Sequence, residues 1–194
     1  KIISQFTQQH NFEQFAVLGF SMGGKCALHL AQTMPQKITA LWLLASDGIK
    51  TNKIYNVAVY PRWGRSLFKT TIQHPAWLFA VVNIANKLRL LSPWLKKFTY
   101  NHMETKEKRE RLYHTWISMA AFNPDINLVK KQINQHQIPV LLFFGKRDEV
   151  IPVAVGEFFA EGLSSCLLTR LERGHYFIDE KINPSLTAAL QWLK

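Results

Sequence analysis

The stretch Gly19-Phe20-Ser21-Met22-Gly23-Gly24 constrains this chain more than any other. An apolar run, Phe15-Ala16-Val17-Leu18, leads into it, and Lys25-Cys26-Ala27-Leu28-His29-Leu30-Ala31 follows with helical spacing. A strand that must become a helix within so few residues forces the serine into strained dihedrals. Glycines two places to either side let the strand and the helix approach without Cβ clashes. Such a turn holds a hydroxyl clear of the sheet and leaves the backbone N–H of Met22 free to meet an anion. A glycine-rich turn with an idle serine is the competing reading, and the strand before and helix after weigh against it.

At 194 residues and 47% apolar the chain can bury a core, and one domain is the default. Cys26 and Cys166 show neither metal-binding nor redox spacing, which fits two core thiols in a reducing, cytoplasmic compartment. No signal peptide is visible and the apolar runs fall short of a membrane span. The chain opens on Lys1 and not on a methionine, so the N-terminus is expected to lie outside it, together with any targeting signal it carries.

In order, Ile2, Ile3 and Phe6 share one helical face, and a strand follows at 15–18. After the turn, Cys26, Ala27, Leu30, Ala31 and Met34 line the expected buried face of a helix closed by Pro35. Ile38 to Leu44 is nearly all apolar, as a parallel strand covered on both faces should be. From 50 to 135 strand-like runs vanish, and Pro75, Pro93 and Pro124 suit helix starts. Glu104 to Phe122 is the longest helical candidate there. Strands return at 138–144 and 165–172, with a helix from Pro152 to Gly162 between them and a last one from Pro184 to Leu193. Alternating strands and helices on either side of a helical insertion predict an α/β fold with a mostly parallel sheet. The core is assigned to 1–49 and 136–194, and a helical lid to 50–135.

Three chemistry-bearing residues stand at the predicted ends of strands: Ser21, Asp148 and His175. In an open parallel sheet those ends gather at one rim, where ligands bind. Gly145-Lys146-Arg147-Asp148 with Val150-Ile151-Pro152 forms one loop, and Gly174-His175 forms another. The chain thus resembles the serine-nucleophile α/β-hydrolase superfamily, in its lidded group of esterases, lipases, thioesterases and carbon–carbon bond hydrolases. The resemblance implies Ser21 as nucleophile, His175 as its base, Asp148 as the acid orienting the imidazole, and the Met22 N–H as half of an oxyanion hole. It implies hydrolysis of a carboxylic ester or thioester of a small molecule, with no metal or organic cofactor. Amide or carbon–carbon bond hydrolysis and a non-catalytic hydrolase-like binding role are the alternatives. Asp47, which also follows a strand, is the alternative acid.

Relatives of this kind carry several strands ahead of the nucleophile strand, whereas one helix precedes Phe15 here. The expectation is a C-terminal portion of a longer protein whose remainder supplies the second oxyanion donor.

The inserted block raises two further expectations. Phe20 beside the serine, and Trp63, Trp77, Phe79, Trp94 and Trp116 in the insertion, supply aromatic surface either for a hydrophobic substrate or for packing the helices together. Residues 50–135 hold fifteen Lys/Arg against four acids, which accounts for the whole net charge of +11. That excess suits an anionic substrate, peripheral contact with an anionic membrane, or simply a solvated helical face. Nucleic acid is disfavoured, because the basic residues are scattered and no recognition motif accompanies them.

Overall fold

The computed structural model describes residues 2–50, 53–90 and 93–193; the side chains of Ile2, Pro93, Trp94 and Lys97 lie outside that description, so the reading of Trp94 falls outside it too. In chain order the elements are α1 (Ile2–Gln9), β1 (Phe15–Phe20), α2 (Met22–Thr33), β2 (Ile38–Leu44), α3 (Lys53–Val59), α4 (Arg62–Gln73), α5 (Ala76–Lys87), α6 (Pro93–Met103), α7 (Lys106–Ser118), α8 (Ile126–Gln135), β3 (Val140–Gly145), α9 (Val153–Ala160), β4 (Cys166–Leu171) and α10 (Asn183–Trp192). The chain divides into two compact units, residues 1–50 with 122–194 and residues 51–121.

The first unit is built on a parallel sheet in the order β1-β2-β3-β4. Parallel pairing needs a crossover after each strand, and α2, α8 and α9 supply covering helices. Side-chain alternation along β2 and β3 then sorts the apolar residues into two cores. Leu41, Leu43, Val140, Leu142 and Phe144 face one way, onto Ala27, Leu28, Val129, Ile133 and Phe159. Ala40, Trp42, Leu44, Leu141 and Phe143 face the other way, onto Phe177, Ile182 and Ala189. The apolar run at 38–44 is thus covered on both faces, as its composition requires.

Two details of this unit differ from the sequence reading. In α2 the buried residues are Gly24, Lys25, Ala27, Leu28 and Ala31, so the inner face is turned from the one expected. The insertion ends at Ala121 instead of Gln135, because Val129 and Ile133 of α8 are 0% and 1% exposed in the first core of the sheet unit. In α1, Ile3 and Phe6 stay exposed, with the Phe6 ring lying against those of His10 and Phe12.

The 51–121 unit is helical throughout its described elements and has its own core of Ile72, Met103 and Leu112, with Phe68, Leu78, Phe79, Phe98, Tyr113 and Trp116 packed on it. Arg109 braces this unit by donating to the carbonyls of Ile72 and Met103 at 2.9 and 3.0 Å, near the ends of α4 and α6. The Thr105 hydroxyl caps α7 by accepting from the Lys108 N–H. The helix expected from Glu104 to Phe122 is therefore shorter, running to Ser118.

Candidate active site

Ser21 sits between β1 and α2 with φ 50° and ψ −121°, a left-handed backbone that a residue with a Cβ adopts only when its surroundings hold it there. Those surroundings are explicit. The Ser21 N–H donates to the Leu44 carbonyl at 3.0 Å, and the Ser21 carbonyl accepts from the N–H groups of Gly24 and Asp47, each at 2.9 Å. The end of β2 thus clamps the turn from both sides of the serine.

The glycines of the motif do unequal work. A Cβ on Gly19 would lie 2.7 Å from the Gly23 carbonyl oxygen and 2.9 Å from the Ala27 Cβ; one on Gly24 would lie 1.9 Å from the Ser46 Oγ. A Cβ on Gly23 would meet nothing within 4 Å. Close approach therefore demands Gly19 and Gly24, which corrects the reading that assigned it to Gly19 and Gly23.

His175 and Asp148 reach the serine from the loops after β4 and β3. The two loops are tied together: the Lys146 N–H donates to the Leu171 carbonyl at 2.8 Å and the Arg147 N–H to the Arg173 carbonyl at 2.9 Å. Gly145 permits this approach, since a Cβ there would lie 2.4 Å from the Arg173 carbonyl oxygen. Phe177, fully buried in the second core, anchors the His175 loop, and an Arg173–Asp179 ion pair links its ends.

The three side chains meet in one line. Ser21 Oγ lies 3.0 Å from His175 Nε2, and His175 Nδ1 lies 2.8 Å from Asp148 Oδ2. The other carboxylate oxygen, Oδ1, accepts from the N–H groups of Val150 and Ile151 at 2.8 and 2.9 Å. With the Asp148 side chain 0% exposed and that of His175 8%, the chain of bonds is shielded from water except at the serine end. With Nδ1–H donating to the carboxylate, Nε2 is left as an acceptor for the serine hydroxyl.

Two neighbours complete the arrangement. The Phe20 ring lies 5.4 Å from that of His175 and the Tyr176 ring 5.2 Å away, so the imidazole has an aromatic group on two sides. Met22 opens α2, where the N–H groups of the first turn have no carbonyl one turn back within the helix. The α2 N-terminus thereby offers donors beside the Ser21 hydroxyl.

Asp47 does not join the line: its carboxylate accepts from the Gly48 N–H at 2.7 Å, while its backbone N–H holds Ser21. The insertion aromatics belong to the 51–121 unit. Phe79 and Trp116 pack in that unit's own core, whereas Trp63 and Trp77 are exposed. A cavity of about 470 Å³, bordered by Leu18, Ala40, Trp42, Pro139, Leu190 and Leu193, contains none of the predicted site residues.

Sequence reasoning missed Lys25, which is 5% exposed in the first turns of α2. Burial pushes its ammonium pKa down, against the opposing pull of Asp47 and Cys26. A lysine in an amphipathic helix reads as solvent-facing, and only the acid at 47 hinted otherwise.

A sequence model of the alpha/beta hydrolase fold matches residues 1–182. The chain belongs to the alpha/beta-hydrolase family. Among solved structures of the same fold, a hydrolase from Pseudomonas aeruginosa is 18% identical with a TM-score of 0.60, the alignment covering 98% of this chain and 69% of that one. An enol-lactonase from Burkholderia xenovorans is 14% identical with a TM-score of 0.57, at 98% and 70% coverage. A meta-cleavage product hydrolase from Pseudomonas fluorescens is 15% identical with a TM-score of 0.52, at 98% and 68% coverage. Identities this low carry the fold. Among curated proteins none matches this family member in sequence.

Proposed function

We propose that this alpha/beta hydrolase cleaves a carboxylic ester or thioester through an acyl-enzyme on Ser21. The observation that carries the reading is the Ser21–His175–Asp148 line, with bonds of 3.0 and 2.8 Å ending at a serine in left-handed backbone. In the first half-reaction Oγ bonds to the substrate carbonyl carbon while its proton passes to His175 Nε2. The Met22 N–H donates to the developing oxyanion. The bond to the leaving oxygen or sulfur then breaks, and the imidazolium returns its proton to that atom. Water repeats the sequence on the acyl-enzyme, releasing the acid and restoring the serine. Throughout, Asp148 holds the imidazole tautomer that keeps Nε2 facing Oγ.

An enol-lactonase of the same fold favours the ester reading, since a lactone is a cyclic ester. The meta-cleavage product hydrolase of the same fold makes carbon–carbon bond hydrolysis the second reading.

A fluorophosphonate probe tests the nucleophile. The protein is expected to label on the Ser21 peptide and the Ser21→Ala variant to stay unlabelled. Rapid quenching with an activated ester should trap an acyl adduct on the same peptide. Equal labelling of both proteins removes Ser21 from the mechanism; labelling without an ester-derived adduct favours the second reading.

A further inference from the structure

We propose that the 51–121 unit seats on an anionic lipid surface through the outer face of α5. That helix is apolar on two sides. Leu78, Phe79 and Val82 turn inward, Val82 being 5% exposed and the other two packed on the unit's own core. Trp77, Val81, Ile84 and Leu88 form a second stripe, spaced by four, three and four residues, and are 44, 52, 60 and 62% exposed. Leu90, just past the helix, extends the stripe and is 77% exposed. A helix with two apolar faces has an occupant for each, and the described residues of this unit cover one.

Charge identifies the occupant. From Gly48 to Met103 the sequence has nine Lys/Arg and no Asp or Glu. The unit's three acids, Glu104, Glu107 and Glu110, follow that stretch. Glu104 pairs with Lys108 and Glu110 with Lys106, both in exposed pairs one turn apart, while Glu107 stands in the first turn of α7. Among the described side chains no lysine or arginine of α3 to α6 is in an ion pair. Lys87 and Arg89 flank the exposed end of the stripe.

Nucleic acid would satisfy the charges and leave Val81, Ile84 and Leu88 in contact with phosphates. A bilayer interface answers both needs, with anionic headgroups for Lys87 and Arg89 and the acyl boundary for the stripe. Trp77 adds the aromatic residue that prefers such a boundary. Among the described residues no helix is long and apolar enough to cross a membrane, so the mode is lying on the surface.

Cosedimentation of the whole protein with lipid vesicles tests the proposal without reference to turnover, so its failure leaves the Ser21 reading untouched. Vesicles of phosphatidylcholine alone are compared with vesicles containing about 30% phosphatidylserine, at low and high salt. The expected result is binding to the anionic vesicles, at least about tenfold weaker on the neutral ones and released by salt. Lys87→Gln with Arg89→Gln should weaken partition by about fivefold per charge. Ile84→Gln, Leu88→Gln and Leu90→Gln together should weaken it by about tenfold or more with unchanged circular dichroism. Absence of binding to anionic vesicles overturns the proposal, as does unchanged partition of the triple variant. If that variant instead raises KM for a long-chain ester, the stripe belongs to substrate, and if duplex DNA displaces the vesicles at stripe-independent affinity, the charge belongs to nucleic acid; either result replaces the membrane.

Discussion

Asp148 divides its carboxylate between two tasks, and the division explains why an isosteric change there should be severe. Oδ1 is fixed by the N–H groups of Val150 and Ile151, and Oδ2 faces His175 Nδ1. In Asp148→Asn, either the amide nitrogen meets two backbone donors or it meets the imidazole and reverses the tautomer. Ester turnover is expected to fall by a factor on the order of 10³ to 10⁴. Asp47→Asn should cost less than about tenfold, because the residue's hold on Ser21 is its backbone N–H, which asparagine keeps. The opposite ranking in steady-state kinetics would transfer the acid's role to the loop after β2. The two thiols are both free. Burial pushes both thiols up, Cys166 to about 11, so neither offers a competing nucleophile near neutral pH.

The elements that carry the candidate site were legible because each one announces itself locally. An apolar strand ending in Gly-x-Ser-x-Gly, a second ending in Gly145 ahead of Asp148, and a loop with Gly174-His175 are recognisable without knowing their neighbours. What local pattern could not reveal is which partner lies across a contact. Nothing near Gly24 in sequence says that Ser46 fills the space where its side chain would be. The same blindness turned the inner face of α2 and assigned α8 to the insertion, since amphipathic spacing shows that a helix has a buried face and not what buries it. The glycine contacts make this testable. Gly23→Ala should leave the urea midpoint unchanged or raise it, as alanine favours the helix by up to about 1 kcal/mol over glycine. Gly24→Ala should lower stability by about 1–3 kcal/mol through overpacking against Ser46. Equal midpoints for the two variants would mean that α2 does not approach Ser46 as described.

At the scale of the molecule, the sheet unit has two cores that share strands β2 and β3. Phe143 and Phe144 are adjacent, fully buried, and belong to opposite cores. Phe144→Ala should therefore cost about 3–5 kcal/mol, a large part of the 5–15 kcal/mol typical of a folded domain. Urea unfolding followed at the tryptophans and by circular dichroism would read that loss; a drop below about 1 kcal/mol would mean the first core is looser than its burial shows. The sheet also gives meaning to the left-handed serine. Glycine at position 21 would occupy the same φ and ψ with no Cβ to crowd, so a lineage rewarded for endurance alone would discard the hydroxyl. The group best placed to react thus sits where the polymer is least at ease, and durability and reactivity pull on a single residue in opposite directions.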